Sequence, residues 1–382
     1  MSLSIVTVGN LGEKENLKTT EILPVINTFA AKGKLSQVIC QINKNFYFPN
    51  TSSAIPKLIR YFIRAVEMAT RLPLEDVRRW LFDYFAARKL EKADLVFLHP
   101  LRFGRVGRKA KRNGSIVVAL ASIAHPTFDE AVYREECERY GGTISQEDVR
   151  IFRKRGKDVG DFDYILTFSE FNKMTYVKAG FPEEKIFVAS LDIPLDKILP
   201  RKEIKKFKVL YVAYTNPRKG LSYLLDAWES LDLPLAELIL VGKYVGMPEE
   251  MIRYCDEIIN RNPSIKWVGG TQDPWQYYQD ASVFVLPSLS ECYGKVTLEA
   301  MASGVPVIVS ENARAIVEDG KTGFVVPIRD AKVIKEKIEH LYYHRDIAEK
   351  MGQEARKAVE NKKSFGEEVF EIYQEILKRE GK

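Results

Sequence analysis

The chain has 382 residues, of which 46% are hydrophobic and 29% charged, with a net charge of +6. This composition is typical of a soluble globular protein and excludes a disordered or collagen-like chain, while the length predicts two domains of ordinary size. The four cysteines are scattered and the four histidines form no cluster, so we expect a cytoplasmic protein without a metal centre. Residues 1–20 do not resemble a secretory signal, and no apolar run approaches the roughly 20 residues of a membrane span.

The first predicted unit is a strand, a turn, a helix and a second strand. An apolar strand from Leu3 to Val8 runs into the turn Gly9 to Gly12, and a helix over 19–31 and a strand over 35–42 follow. The glycines of the turn do not form the G-x-G-x-x-G fingerprint of dinucleotide-binding folds. The turn alone therefore indicates a buried parallel strand but no particular ligand.

Two amphipathic helices with basic faces are predicted next, over 55–72 and 74–90. In the first, Leu58, Phe62 and Met68 belong to an apolar series at helical spacing, and Lys57 and Arg64 belong to the basic series. The pattern favours a core-facing helix with a solvated basic side. The alternative is a helix that lies on an anionic membrane surface.

A second basic segment follows the strand predicted over 93–98. It contains no acid over 102–112, and it is either a solvated helix face or a contact for phospholipid or polyprenyl phosphate. We do not expect nucleic acid as a partner, because the basic segment lacks interleaved aromatic residues and the net charge is modest.

His125 is the candidate functional residue of the first half of the chain. It follows a strand predicted over 115–121, and open α/β sheets bind ligands outside the carboxyl ends of their strands. Two helices over 130–157 and a strand over 162–168 come next. The segment 190–206, with prolines and a charged run, has the composition of a domain boundary.

The second half restarts the alternation and contains the most informative segment of the chain. A strand over 282–286, a loop, a helix that begins near Gly294 or Lys295, and a strand over 306–309 predict a βαβ unit. The free N–H groups at such a helix start bind phosphate or another anion. Glu291 and Glu299 flank this end, and because carboxylates repel phosphate, we expect both to accept hydroxyl groups from a sugar and a ribose.

The segment from Pro287 to Val307 resembles the signature of retaining GT-B glycosyltransferases of family 4. Its two glutamates are separated by seven residues, after a Pro-Ser start and before a Glu-Ala-Met-Ala-x-Gly-x-Pro-Val finish. The resemblance is strong over 205–330. It implies an α/β fold with two Rossmann-like domains whose parallel sheets face each other across a cleft: an N-terminal acceptor-side domain over 1–195, a sugar-nucleotide domain over 196–362, and a terminal helix over 363–382 that packs back on the first domain.

The resemblance also implies a function and a set of site residues. The chain would be a hexosyltransferase that needs no metal or cofactor and moves a sugar from a nucleotide-diphosphate sugar to a hydroxyl of a glycan, lipid-linked or small-molecule acceptor. Glu291 and His125 would be the catalytic residues, beside the donor sugar. The donor-binding residues would be Lys219, Arg218, Tyr293, Gly294, Lys295, Val296, Glu299 and Gly12, and Asn10 would lie near the cleft. We expect a cytoplasmic protein, with a peripheral position on the inner face of the membrane as an option.

Two departures from the family pattern leave alternatives open. Tyr214 stands where many members carry an arginine, and Ser310 to Arg314 replaces the usual Gly-Gly turn. One alternative is a glycosyltransferase-like subunit that binds nucleotide or membrane without turnover. The other is a sugar-nucleotide 2-epimerase on the same fold.

Overall fold

The protein consists of two Rossmann-like domains, each built on a parallel sheet. The computed structural model describes residues 1–11, 17–43, 48, 50–71, 74–99, 101, 103–156, 162–202, 206–271 and 273–382. The elements of the first domain are β1 (Leu3–Leu11), α1 (Leu17–Ala31), β2 (Leu35–Asn43), β3 (Thr51–Ser53), α2 (Lys57–Thr70), α3 (Glu75–Lys89), β4 (Leu95–His99), α4 (Gly104–Arg112), β5 (Ile116–Ala121), α5 (Pro126–Arg139), α6 (Gln146–Gly156), β6 (Tyr164–Thr167), α7 (Glu170–Lys178) and β7 (Ile186–Val188).

The second domain repeats the alternation of strands and helices. Its elements are β8 (Lys208–Thr215), α8 (Leu221–Glu229), β9 (Glu237–Tyr244), α9 (Glu249–Arg261), β10 (Ile265–Gly269), α10 (Trp275–Gln279), β11 (Val283–Leu286), α11 (Lys295–Ala302), β12 (Val307–Ser310), β13 (Gly323–Val326), α12 (Ala331–Tyr343) and α13 (Arg345–Glu360), and α14 (Phe365–Arg379) ends the chain. The expected fold class, two facing domains with parallel sheets, is confirmed.

The order of the strands places the sites for ligands. The sheets have the orders β3-β2-β1-β4-β5-β6-β7 and β10-β9-β8-β11-β12-β13, with parallel neighbours throughout. The order reverses between β1 and β4 in the first sheet and between β8 and β11 in the second. Open α/β sheets bind ligands at such a switch point, outside the carboxyl ends of the strands. Strands β4, β5, β11 and β12 are buried along their whole length, as expected for strands covered on both faces.

Helix α14 returns to the first domain and packs on α1. The ring of Phe29 lies edge-on to Phe370 and Tyr373, with centroids 5.2 and 5.1 Å away. A Cβ atom at Gly366 would lie 2.4 Å from the carbonyl oxygen of Pro24, so only glycine permits this close approach of the two helices. The exact boundaries 1–195, 196–362 and 363–382 stay predictions.

Helix α2 packs on the first domain with only part of the apolar face that the favoured interpretation predicts. Leu58, Phe62 and Met68 are 83%, 70% and 69% exposed, and Ile63 is the buried residue of the helix. The expectation of a core-facing helix is therefore wrong for these three side chains, whereas Ile59 and Ile63 pack against the first domain as expected. Within the described ranges, no helix combines the length and the apolar character that crossing a membrane requires.

Candidate functional site

The turn after β8 brings two cations to the switch point of the second sheet. A short 3₁₀ helix, Pro217–Lys219, is capped by the Asn216 side chain, which accepts the Arg218 N–H at 3.1 Å. Gly220 follows with φ of +66°, and a Cβ atom there would lie 2.1 Å from the Pro287 carbonyl oxygen. Glycine thus allows this turn to lie directly against the loop that follows β11, which carries Glu291.

Lys219 and Glu291 form an ion pair at the centre of the site. The ammonium group donates to the Glu291 carboxylate, and the side chains are only 16% and 14% exposed. Burial raises the pKa of Glu291, but the charges of Lys219 and Arg218 outweigh it and hold that pKa below its ordinary value of 4.5. Glu291 is therefore an ionised hydrogen-bond acceptor at neutral pH.

Helix α11 begins at Lys295, as the sequence predicts, and its N-terminus faces the same loop. Gly294 has φ of +68° and ψ of +56°, the left-handed conformation that glycine adopts without strain. In the described part of the chain, the N–H groups of Lys295 and Val296 have no hydrogen-bond acceptor. These amides and the positive end of the helix dipole form an anion-binding position next to Lys219.

The turn that departs from the family pattern supports this loop. The Asn312 side chain donates to the Leu289 carbonyl oxygen at 2.7 Å, and the Ser310 hydroxyl donates to the Ser288 carbonyl oxygen. The side chains of the Ser310 to Arg314 segment thus hold the loop in place by hydrogen bonds that glycines could not form.

Glu299 lies deeper, on the buried side of α11. Its Oε2 accepts the Tyr278 hydroxyl at 3.0 Å. Burial raises the pKa of this carboxyl above its ordinary value, against the effects of Tyr278 and Lys295. No described residue donates to Oε1, which leaves that oxygen for a ligand hydroxyl.

The first domain contributes His125 and Asp129, on one face of the start of α5. The His125 imidazole caps the helix by accepting the Thr127 N–H at 3.3 Å, and it lies edge-on to Tyr176. Burial lowers the pKa of His125 below its ordinary value of 6.5, so the imidazole is neutral at pH 7. A neutral imidazole fits a hydrogen-bonding role better than a charge-pairing role.

Asp129 is a site residue to which the sequence analysis assigned no role. Its buried carboxylate bonds Arg218 at 3.2 Å and the Ser290 hydroxyl at 2.6 Å, across the domain boundary. Burial raises the pKa of Asp129, whereas the Arg218 charge lowers it. The spacing of four residues from His125 was the available signal, because residues i and i+4 share one face of a helix.

Further contacts close the cleft beside the site. Glu136 of α5, which is 1% exposed, accepts the Tyr223 hydroxyl at 2.8 Å and the Arg329 Nε at 2.8 Å. The Ser169 hydroxyl donates to the Cys292 carbonyl oxygen at 2.6 Å. The structure therefore shows the two domains in direct contact around Glu291.

The structure brings together Lys219, Arg218, Glu291 and the start of α11. The Tyr293 ring is 4% exposed and packs against Phe168, with centroids 6.1 Å apart, so its side chain points into the domain contact. Gly12 lies outside the described residues. Tyr214 is 58% exposed and supplies no charge for an anion. Among the described residues, no group of three or more His, Cys, Asp or Glu side chains is placed to hold a metal ion.

Comparison with solved structures defines the class of fold. Anabaena HepE, solved with UDP and glucose, matches with a TM-score of 0.64 and 15% identity over 98% of this chain and 99% of that one. Sucrose-phosphate synthase of Thermosynechococcus elongatus matches with a TM-score of 0.68 and 19% identity over 100% of this chain and 99% of that one. The fold is therefore that of the GT-B glycosyltransferases.

Sequence comparison finds a family model and relatives that match the second domain. Residues 196–358 match the family model described as glycosyl transferases group 1. The capsular polysaccharide biosynthesis glycosyltransferase CapM of Staphylococcus aureus is 40% identical over 130 residues, which are 32% of this chain and 34% of that protein. The chain spans between 34% and 65% of the length of the first three curated relatives. The family model and these relatives support the assignment to the group 1 glycosyltransferases.

Proposed function

We propose that this protein is a retaining, metal-independent glycosyltransferase of family 4 that transfers a sugar from a nucleotide-diphosphate sugar to an acceptor hydroxyl. One observation carries the proposal: Lys219, Glu291 and the free N-terminal amides of α11 meet at the switch point of the second sheet. A cation, free N–H groups and an ionised carboxylate side by side suit a ligand that carries both phosphate and hydroxyl groups.

The leaving diphosphate is stabilised by groups already in place. Lys219 and the amides of Lys295 and Val296 offset the charge that develops on the leaving phosphate, which is transition-state stabilisation by preorganised donors. Arg218 adds positive charge from its position beside Asp129. The donor phosphate takes the place of Glu291 at Lys219, which frees the Glu291 carboxylate for the hydroxyls of the donor sugar.

Glu299 and His125 orient the donor. Glu299 accepts a ribose hydroxyl at Oε1, while Tyr278 fixes its other oxygen at 3.0 Å. His125 contacts the donor sugar from the first domain as a neutral hydrogen-bonding group. The acceptor oxygen bonds the anomeric carbon from the side of the leaving group as the bond to the diphosphate breaks, so the anomeric configuration is retained. The acceptor's proton passes to the leaving diphosphate, and Glu291 and Glu299 do not act as an acid/base pair.

The acceptor enters from the first domain, and an anionic membrane surface is the proposed second partner. Leu58, Phe62 and Met68 are exposed on α2 next to Lys57 and Arg64, a combination typical of helices that lie in the membrane interface. A glycan or lipid-linked acceptor at that surface would reach the cleft without a soluble carrier.

Transfer assays with a matched pair of variants test the proposal. The protein is incubated with UDP-, GDP- and ADP-sugars, and the release of nucleotide diphosphate is measured with and without a mixture of acceptors. We expect release from one donor class in the wild type, a loss of about 100-fold or more in Lys219→Ala, which removes a preorganised donor, and no change in Lys332→Ala, an exposed lysine of α12. Tight nucleotide binding without release from any donor would favour the subunit without turnover. Inversion of the configuration at C2 of the donor sugar would favour the epimerase.

A further inference from the structure

A cavity lies in the first domain, beside the proposed reaction centre. It encloses about 270 Å³, and its apolar lining includes Val8 of β1, Phe82 of α3, and Ile123 and Pro126, which follow β5. Pro126 directly follows His125, so the cavity adjoins the site. A wider groove of about 960 Å³ shares Glu75, Arg79 and Arg155 with the cavity and gives room for a larger ligand.

Three arginines enter this apolar cavity, and they differ in their partners. Arg78 pairs with Glu67 of α2, and Arg79 lies 3.4 Å from Glu75 on its own helix. The Nε atom of Arg155 is buried, and no described residue accepts a hydrogen bond from it. A buried N–H group without an acceptor costs free energy unless a ligand oxygen supplies one.

The surroundings of Arg155 increase its need for an anion. Burial lowers the pKa of Arg155 first, and the positive charges of Arg218 and Arg79 lower it further. Asp129 raises it, but that carboxylate already bonds Arg218 and Ser290. Asp129 therefore offsets the neighbouring positive charges only in part, and the net effect is a lowered pKa of Arg155.

We propose that Arg155, together with Arg79, binds an anionic group of the acceptor, a carboxylate or a phosphate, in this cavity. The inference rests on the proposed function, because it assigns the acceptor's chemistry at that same site. Guanidinium groups bind planar carboxylates and phosphates with paired hydrogen bonds. The apolar wall accommodates the ring or chain that carries the anion, and the neighbouring His125 and Glu291 lie within the same cleft.

Binding measurements on the full chain test this assignment without the need for turnover. The probes are 4-nitrophenyl glucoside, 4-nitrophenyl glucuronide and glucose 1-phosphate, of which the first is neutral and the others carry a carboxylate or a phosphate. Binding is measured in the Lys219→Ala background, which weakens anion binding at the donor phosphate position, and the Arg155 variants identify the part that belongs to the cavity. We expect at least one anionic probe to bind about tenfold more tightly than the neutral glucoside. Tighter binding of the glucuronide would indicate a carboxylate ligand, and tighter binding of glucose 1-phosphate a phosphate ligand.

Variants of two arginines in α6 distinguish a direct role of Arg155 from the effect of the helix's overall positive charge. Arg155→Gln should abolish the preference for the anionic probe, Arg155→Lys should retain part of it, and Arg153→Gln, an exposed arginine of the same helix, should retain all of it. Unchanged preference in Arg155→Gln, or no preference in the parent, overturns the inference. If anionic probes depend on Arg155 while no sugar nucleotide binds the wild type, the cavity assignment stands and the proposed donor chemistry fails.

Discussion

At the scale of single residues, the site is organised by charges that are paired before any substrate binds. Lys219 and Glu291 lie mostly out of solvent, and each would be an uncompensated charge if the other were removed. Arg218 and Asp129 repeat the arrangement across the domain boundary. In the proposed complex, the donor diphosphate replaces the carboxylates that pair with Lys219 and Arg218, and the sugar hydroxyls replace the cation that pairs with Glu291. The ion pairs therefore hold these side chains in position before the donor binds.

The Lys219 and Glu291 pair predicts a coupled response to mutation. Either Lys219→Ala or Glu291→Gln alone should lower the free energy of unfolding by about 3 kcal/mol, because one buried charge loses its partner. The double variant should lose clearly less than the sum. Urea unfolding of the four proteins measures the coupling, and additive losses would show that the pair is not formed in solution.

The same coupling should depend on pH in a definite direction. The folded pKa of Glu291 lies below its ordinary value of 4.5, so the stabilisation is complete above pH 4.5 and is lost as the pH falls through the lower folded pKa. Repeating the four unfolding curves at pH 7, pH 5 and lower values tests this. A coupling that weakens between pH 7 and pH 5 would contradict the assignment.

At the scale of elements, Gly220 determines how closely the site loops approach, and Gly246 provides a control without such a contact. Gly220 and Gly246 have nearly the same φ, +66° and +64°, but a Cβ atom at Gly220 would overlap the Pro287 oxygen, whereas Gly246 has no atom within 4 Å. This difference separates the cost of a left-handed conformation from the cost of close contact.

Alanine substitutions at Gly220 and Gly246 test this difference through protein stability. Gly246→Ala should cost about 1 kcal/mol, the usual penalty for a left-handed alanine, and Gly220→Ala should cost at least about 2 kcal/mol more because the turn must move away from Pro287. Thermal or urea unfolding measures both. Equal losses would mean that the two loops do not touch as described.

Helix α2 gives the second prediction at this scale. The exposed Leu58 and Phe62 and the nearby basic residues should bind vesicles with anionic lipid, and a Leu58→Ser/Phe62→Ser variant should lose most of this binding. Met174→Ser, an exposed methionine of α7 that is 52% accessible, is the control. Co-sedimentation with anionic and neutral vesicles measures the effect, and binding that is equal for both vesicles or unchanged in the double variant contradicts the membrane role.

Sequence reasoning predicted those parts of the site that lie within one continuous segment. The start of α11 at Lys295 follows from a glycine and helical periodicity, and the parallel sheets follow from the alternation of strands and helices. The arrangement of two facing domains was implied by the resemblance to the glycosyltransferase family. Asp129, Arg155 and the direction of the Tyr293 ring depend on how distant segments pack, which periodicity does not encode. The role of Asn312 was also hidden, because the sequence shows the loss of glycines but not the hydrogen bond to Leu289 that replaces them.

At the scale of the whole molecule, contacts of α5 with the second domain keep the cleft closed around the site. Glu136 is buried between Tyr223 and Arg329, and Asp129 joins Arg218 and Ser290. Under the proposed function a sugar nucleotide enters between these surfaces, and its binding then requires that the contacts open and form again. Both domains carry complete sheets of their own, so a hinge motion changes the cleft without unfolding either sheet.

The Glu136 contacts predict the balance between open and closed forms. Glu136→Gln should weaken the bonds to Arg329 and shift the population toward an open form with a larger radius of gyration in solution scattering. Glu138→Gln, an exposed acid of the same helix, should have a much smaller effect. An unchanged radius of gyration in Glu136→Gln would show that other contacts hold the domains together.

The central claim, a sugar-nucleotide site between Lys219, Glu299 and α11, is tested most directly by ligand-dependent thermal stability. Wild type, Lys219→Ala and Glu299→Ala are heated with UDP, GDP, ADP and their sugar conjugates. We predict that one nucleotide class stabilises the wild type, by about 2.7 kcal/mol at 100 times its Kd, and that both variants lose most of this effect. Stabilisation by none of the nucleotides, or stabilisation that survives both substitutions, would contradict the account.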